Sequence, residues 1–130
     1  MENKEGLIWY NGKLIDWKDA KLHVLTHGLH YASSVFEGER SYSGRIFKLH
    51  EHTERLFFSA SELDFEIPFT IEEIKKACYL TLEKNNLVDA YIRPIAWREQ
   101  KQLEFLHNLQ KYIVQLQFGN GPHTSVQMIN

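Results

Sequence analysis

Two turn dipeptides, Asn11-Gly12 and Ser43-Gly44, constrain the fold of this chain more than any other feature. Asn11-Gly12 divides the mostly apolar segment 7–17, and such a pair favours a two-residue hairpin turn because both of its residues adopt positive φ. Ser43-Gly44 joins extended runs at 34–42 and 45–49, where glycine supplies the turn without steric cost. The sequence therefore predicts two β-hairpins.

A helix is predicted from His50 to Leu63, because Leu56, Ala60 and Leu63 recur at spacings of four and three. Pro68 lies beyond its end, where a helix does not continue easily.

A second helix is predicted to begin after Thr70, which forms a capping box with Glu73 three residues later. Apolar residues then recur on one face until Asn85-Asn86, where we expect the helix to stop. The residues of that face are Ile71, Ile74, Cys78 and Leu82.

The segment Ala90 to Trp97 is apolar and aromatic but contains Pro94, so we expect an edge strand or the end of a strand. Strands, two helices and a further strand follow one another in that order. The predicted fold class is therefore α+β, a mostly antiparallel sheet with two helices packed on it.

Composition narrows the class of protein. The 130 residues suffice for one domain, and a net charge of −2 gives no basic surface for nucleic acid or an anionic membrane. No apolar stretch approaches the roughly 18 residues of a membrane span. The single cysteine, Cys78, and the lack of a signal segment before Leu7 favour the cytoplasm.

Composition changes abruptly after Arg98. Residues 1–98 contain no glutamine and four aspartates, whereas residues 99–130 contain six glutamines and no aspartate. We therefore divide the chain into a domain at 1–98 and a divergent, poorly packed tail at 99–130.

Two interpretations of the tail remain open. It is either an ordinary C-terminus, polar and poorly packed or forming a helix around Lys101 to Leu109, or the product of a reading-frame shift. The second interpretation rests on Val114 to Gly121: plausible codons for this segment, read one nucleotide earlier, encode Ala-Ile-Ala-Ile-Trp-Glu-Trp, which is a good buried strand.

Five histidines raise the question of a metal. His23, His27 and His30 have helical spacing, and His50 and His52 follow later. Gly28 and the short extended context argue against a stable helix there, and no carboxylate or thiol is suitably placed. We therefore predict no metal site.

The run from Thr26 to Arg40, THGLHYASSVFEGER, mixes glycines, hydroxyls, aromatics and charges in a way that a core strand would not need. It resembles the H-x-L-H-Y-[GA]-S-S-V-F-E-G signature of fold-type IV branched-chain amino-acid aminotransferases. The IWYNGK hairpin, the helix segment Glu51 to Ala60 and Ala90 to Pro94 also match in order. The chain departs from the pattern at Ala32, where glycine is frequent, and at Glu39, where an apolar residue is frequent.

The resemblance implies the small N-terminal domain of an enzyme that uses pyridoxal 5'-phosphate, forms a homodimer, and exchanges an amino group between leucine, isoleucine or valine and 2-oxoglutarate. Residue by residue, it implies that Arg55 binds the cofactor phosphate. Tyr31 and Phe36 would line the substrate side-chain pocket, with Tyr31 reaching into the neighbouring subunit. Tyr91 and Arg93 would hold substrate carboxylates, and Gly38 would allow close approach of the backbone to ligand. Without the family, ordinary packing or surface charge would explain each of these residues.

Transamination needs a lysine that forms a Schiff base with the cofactor, and in this family that lysine lies in the large C-terminal domain. No lysine of this chain sits in a matching motif, so we expect no catalytic residue here and no activity of the chain alone. The alternative is a noncatalytic module that pairs with an intact partner. A complete small enzyme of other chemistry is disfavoured, because Cys78 on a buried helix face is a poor nucleophile.

Overall fold

The computed structural model describes residues 5–98 and 112–119, and of the latter it describes the strand that they form. The strands in these ranges are β1 (Leu7–Tyr10), β2 (Lys13–Asp16), β3 (Ser34–Phe36), β4 (Glu39–Tyr42), β5 (Arg45–Ile46), β6 (Ala90–Arg98) and β7 (Tyr112–Gly119). The helices are α1 (His27–Tyr31), α2 (Leu49–Glu62) and α3 (Ile71–Lys84), and a 3₁₀ turn spans Trp17–Asp19.

The strands form one sheet in the order β2-β1-β7-β6-β4-β5, and β3 also pairs with β6. Every pairing between described strands is antiparallel. Both predicted hairpins are present: φ is 50° at Asn11 and 94° at Gly12, and 49° at Ser43 and 76° at Gly44. The predicted α+β class, with two long helices on a mostly antiparallel sheet, is confirmed.

The prediction of an edge position for β6 is wrong, because β6 lies in the middle of the sheet. It pairs with β7 on one side and with both β3 and β4 on the other. Pro94 is tolerated because its backbone faces the gap between β3 and β4, where its carbonyl accepts a hydrogen bond from the Glu37 N–H at 2.9 Å. Proline lacks the N–H that would return a bond to the Glu37 carbonyl, so this pair of residues keeps one of its two hydrogen bonds, at the point where pairing with β3 ends and pairing with β4 has not begun.

The core lies between the sheet and the two long helices. From α2 it contains Leu49, Thr53, Leu56 and Ala60, and from α3 it contains Ile74, Ala77, Cys78, Thr81 and Leu82. These positions recur every three or four residues, which is why each helix buries one stripe. Leu63, expected on the stripe of α2, instead follows the last helical residue and is exposed. Cys78 packs in the core, as predicted.

Side-chain hydrogen bonds fix both ends of α3. At its start the Thr70 hydroxyl accepts from the Glu73 N–H at 3.2 Å, and the Thr70 N–H donates to the Glu73 carboxylate at 2.7 Å, so the predicted capping box is present. At its end Asn85 accepts from the Leu7 N–H at 2.7 Å and donates to the Leu7 carbonyl at 2.9 Å. Asn85 thereby ties the first hairpin to the helix layer.

Candidate functional site

The candidate site is organised by the segment Phe36–Glu37–Gly38, where β3 ends and β4 has not yet begun. Successive side chains in an extended chain point to opposite faces of a sheet. Phe36 is exposed, whereas Glu37 is buried. Phe36 and Gly38 therefore share the face away from the two long helices, and Glu37 points to the helix side.

On the helix side, the Glu37 carboxylate receives two parallel hydrogen bonds from Arg55 on α2. Arg55 Nε donates to Glu37 Oε1 at 2.7 Å, and Arg55 Nη2 donates to Glu37 Oε2 at 2.6 Å. His52 lies one turn before Arg55, and its Nδ1 is 2.8 Å from Glu37 Oε2. The Glu37 side chain is 5% exposed and that of Arg55 is 62% exposed, so the pair reaches from the interior to the surface.

These contacts keep Glu37 ionised. Burial raises the pKa of the Glu37 carboxyl, but the hydrogen bonds and positive charge of Arg55 and His52 outweigh that effect and hold the pKa below its usual value. The hydrogen bond and negative charge of Glu37 raise the pKa of Arg55. A buried carboxylate therefore faces a charged guanidinium on α2.

On the other face, four residues form a second group, which we call the aromatic–arginine cluster: Phe36, Gly38, Tyr91 and Arg93. Arg93 donates to the Tyr91 hydroxyl from Nη2 at 2.5 Å and from Nε at 3.1 Å. The Arg93 guanidinium lies 4.3 Å from the centre of the Phe36 ring, a cation–π distance.

Gly38 completes this cluster because a larger residue would not fit. A Cβ atom placed on Gly38 would lie 2.8 Å from the Tyr91 hydroxyl. The absence of a side chain therefore lets Tyr91 cross the β3–β4 gap and hold Arg93.

Glu39, the next buried acid, has no such partners. It is 1% exposed, and neither carboxylate oxygen has a hydrogen-bond partner among the described residues. Burial, with a contribution from the charge of Glu37, raises the pKa of Glu39 to about 8. Glu39 is therefore mostly a neutral acid at pH 7, which is how the core accommodates it.

Tyr31 lies apart from the aromatic–arginine cluster, on the short helix α1. It is 69% exposed, and its ring centre is 4.5 Å from that of His27. The presence of α1 corrects our expectation that Gly28 would prevent a helix here. A Cβ atom on Gly28 would lie 3.1 Å from that of Trp97, so glycine lets α1 pack closely on β6.

The histidines of this segment each have a different partner. His23 Nδ1 accepts from the Leu25 N–H at 3.1 Å, His27 Nδ1 is 2.5 Å from the Ser33 hydroxyl, and His30 Nε2 is 2.7 Å from the Val24 carbonyl oxygen. Within residues 5–98 and 112–119, no group of histidine, cysteine and acidic side chains could hold a metal ion.

The structure thus gathers four of the six predicted site residues into one cluster and places Arg55 on the opposite face of the Phe36–Glu37–Gly38 segment, where it bonds Glu37. Sequence reasoning missed Glu37 and His52. A signal for both was available: His52 and Arg55 stand three residues apart and so share a helix face. Glu37, the acid between Phe36 and Gly38, has the charge that would attract the basic face formed by His52 and Arg55.

This chain belongs to the amino-transferase class IV family, whose sequence profile matches residues 34–127. A probable branched-chain-amino-acid aminotransferase from Rickettsia bellii is 51% identical over 106 residues, which cover 82% of this chain and 37% of that protein. The match extends past Arg98 into the segment where composition changes.

Solved structures share the fold. The branched-chain amino acid aminotransferase from Escherichia coli superposes with a TM-score of 0.81 at 36% identity, over 89% of this chain and 41% of that one. The branched-chain aminotransferase from the thermophilic archaeon Thermoproteus uzoniensis, solved with norvaline, gives a TM-score of 0.78 at 33% identity, over 88% of this chain and 40% of that one. A third branched-chain amino acid aminotransferase, complexed with 4-methylvaleric acid, gives a TM-score of 0.76 at 41% identity, over 87% of this chain and 40% of that one.

The chain spans only about a third of the length of the curated relatives that it matches. Within the described ranges, none of the helices is both long and apolar enough to cross a membrane.

Proposed function

We propose that this chain supplies the small-domain half of the site of a branched-chain amino-acid aminotransferase, which moves an amino group between leucine, isoleucine or valine and 2-oxoglutarate. The observation that carries the proposal is the aromatic–arginine cluster, in which one cation, one hydroxyl and one ring meet; the Arg55–Glu37 pair lies on the other face of the same segment. The names and identities of the relatives support the same class of reaction.

Arg55 is the residue that we propose for the phosphate of pyridoxal 5'-phosphate. Its guanidinium is exposed at the end of a fixed ion pair, and guanidinium groups suit phosphate oxygens because they donate paired, charge-assisted hydrogen bonds. Since Glu37 balances its charge, Arg55 supplies only part of a phosphate site. When bound, the cofactor supplies the electron sink for breaking the Cα–H bond of an amino acid.

The aromatic–arginine cluster fits a substrate that is both apolar and acidic. The exposed Phe36 ring offers an apolar wall to a branched aliphatic side chain, while Arg93 and the Tyr91 hydroxyl offer donors to a carboxylate. Gly38 keeps the space beside Tyr91 clear of a side chain. One pocket could in this way accept leucine in one half-reaction and glutamate in the other.

We further propose that the chain does not transaminate alone. It would act with a partner, which is either a polypeptide that supplies the lysine-bearing half of the site or a second copy of this chain. Four exposed apolar side chains around α1 support a contact there: Val24, Leu25, Leu29 and Tyr31. The same feature favours the alternative, a noncatalytic module that pairs with an intact aminotransferase. Co-purification with an intact aminotransferase would distinguish it.

We place the chain in the cytoplasm. Cys78, the single cysteine, is free and buried in the core. A reduced, inert thiol is consistent with a reducing compartment.

The substrate side of the proposal is tested by titrating the full chain with 4-methylvaleric acid, which carries a carboxylate and a branched aliphatic end. We expect NMR shifts at Phe36, Tyr91 and Arg93, and weaker binding by Arg93→Gln. Arg45→Gln, a change of an exposed arginine on β5, is the matched control and should bind as the wild type does. Equal binding by Arg93→Gln and wild type would contradict the assignment.

A further inference from the structure

We propose that Glu37 is a positioning residue that fixes the guanidinium of Arg55, with His52 as a second support, so that the edge of Arg55 not used by Glu37 faces a phosphate ester. The inference rests on the proposed function of Arg55 and extends it to two residues that the sequence did not single out.

The geometry of the pair supports orientation more than simple charge balance. Two parallel hydrogen bonds of 2.7 and 2.6 Å define the plane of the guanidinium as well as its position. Burial restricts the rotamers of the Glu37 side chain, and its backbone is fixed because the Glu37 N–H donates to the Pro94 carbonyl at 2.9 Å. The exposed Arg55 side chain is thus held by Glu37, a residue whose backbone is hydrogen-bonded to the sheet.

His52 keeps the Glu37 carboxylate in place. A carboxylate accepts hydrogen bonds and donates none, so His52 Nδ1, at 2.8 Å from Glu37 Oε2, acts as the donor. His52 and Arg55, on the same face of α2, therefore both donate hydrogen bonds to the Glu37 carboxylate. The Arg55 Nη2 atom lies 3.2 Å from His52 Nδ1 because both nitrogens donate to the same oxygen, Glu37 Oε2; two donors form no hydrogen bond with each other.

The donors left to Arg55 lie at the far edge of its guanidinium. Glu37 engages Nε and one N–H of Nη2, which leaves both N–H groups of Nη1 and the second of Nη2. A long side chain that is already ordered loses less conformational entropy when it binds a ligand. Glu37 would thus favour phosphate binding through orientation, although its charge alone would oppose an anion.

The first experiment needs no ligand. Hydrogen exchange of the Arg55 Nε–H group is measured by NMR on the full chain, with the signal assigned by its loss in Arg55→Lys. We expect exchange about tenfold or more slower than at exposed Arg45, and rapid exchange in Glu37→Gln. Wild-type exchange at Arg55 as fast as at Arg45 would overturn the inference.

The second experiment measures binding of pyridoxine 5'-phosphate, which has no aldehyde and so forms no adduct with lysine. We expect Glu37→Gln to weaken binding about tenfold and Arg55→Lys to weaken it at least as much. Glu54→Gln changes an exposed acid on the same helix and should leave binding unchanged. If Glu37→Gln does not fold, Glu37→Asp replaces it in the test. This variant keeps the charge but moves the carboxylate away from Arg55, so it should also weaken binding.

The outcomes separate the two claims. Loss of binding in Arg55→Lys with full binding in Glu37→Gln and Glu37→Asp would overturn the positioning role alone. Wild-type binding in Arg55→Lys, or no binding by the wild-type chain, would overturn the proposed phosphate role of Arg55. The exchange measurement would then still decide whether Glu37 orients Arg55.

Discussion

Single residues carry strain in this chain, and Ala32 is the plainest case. It follows α1 with φ of 54°, in the left-handed region, where an L side chain costs about 1 kcal/mol or more. The resembling family frequently has glycine here, which is the residue that this conformation favours. The strain lies one residue after Tyr31, so it bears on the placement of a proposed site residue.

We predict that Ala32→Gly stabilises the chain by up to about 1 kcal/mol, because relief of the left-handed strain exceeds the entropy that glycine adds to the unfolded state. Ala20→Gly is the control: Ala20 has φ of −74°, so no strain is relieved and stability should fall slightly. Urea unfolding of both variants gives the values. A destabilised Ala32→Gly would contradict the assigned conformation.

Glu39 makes the fold sensitive to pH. With the pKa raised to about 8 in the folded chain and near 4.5 when unfolded, the folded state binds more protons between these values. The free energy of unfolding should therefore fall as pH rises from 4.5 to 8, by about 1.4 kcal/mol per pH unit from this group. Below pH 4.5 its effect is constant, since both states are protonated.

The test compares urea unfolding of wild type and variants at pH 5, 6, 7 and 8. Glu39→Gln should remove most of the fall in stability, and Glu39→Leu should be more stable than wild type at pH 8. A wild-type chain as stable at pH 8 as at pH 5, or one whose fall persists in both variants, would show that Glu39 is not a buried neutral acid.

At the scale of elements, the parts that depend on local chemistry could be predicted from the sequence. Asn11-Gly12 demands positive φ and Thr70 and Glu73 cap each other, so the first hairpin and α3 follow from neighbouring residues. The central place of β6 could not be predicted, because Pro94 is tolerated there only by facing the gap between β3 and β4, which is distant in sequence. The bond between Glu37 and Arg55 likewise needs the packing of α2 on β3.

Asn85 offers a test of how the elements are held together. Asn85→Ala removes its bonds to Leu7 and to the Thr81 carbonyl, and it leaves part-buried backbone groups without partners. We expect a loss of about 2–3 kcal/mol in thermal or urea unfolding. Lys84→Ala, which removes only an exposed ion pair with Glu83, should cost close to nothing. Equal losses of stability in the two variants would show that Asn85 does not hold the first hairpin to α3.

At the scale of the whole molecule, the segment after Arg98 is only partly described. Strand β7 lies inside the segment that we predict to be a divergent tail, yet it pairs with β6 from Tyr112 opposite Arg98 to Gly119 opposite Tyr91. The family profile also continues to residue 127. The shift of reading frame stays a prediction, to be checked in genomic sequence. The helix predicted around Lys101 to Leu109 lies outside the described residues, as do all of 99–111 and 120–130.

Part of the candidate site could be predicted from the sequence, but its arrangement could not. The family resemblance named Phe36, Gly38, Tyr91 and Arg93, and the structure brings them together. Which group each arginine bonds depends on the fold of the whole domain, since the partners come from β3, α2 and β6. The chain thus presents two arginines, one on each side of Phe36–Glu37–Gly38.

The central claim is that these residues form one half of a transaminase site, to which no lysine of this chain contributes. The most direct measurement incubates the purified chain with pyridoxal 5'-phosphate, reduces it with borohydride, and assays leucine with 2-oxoglutarate. We predict no turnover and no adduct confined to one lysine. A stoichiometric adduct at a single lysine, accompanied by turnover, would contradict the claim and identify this chain as an enzyme in its own right.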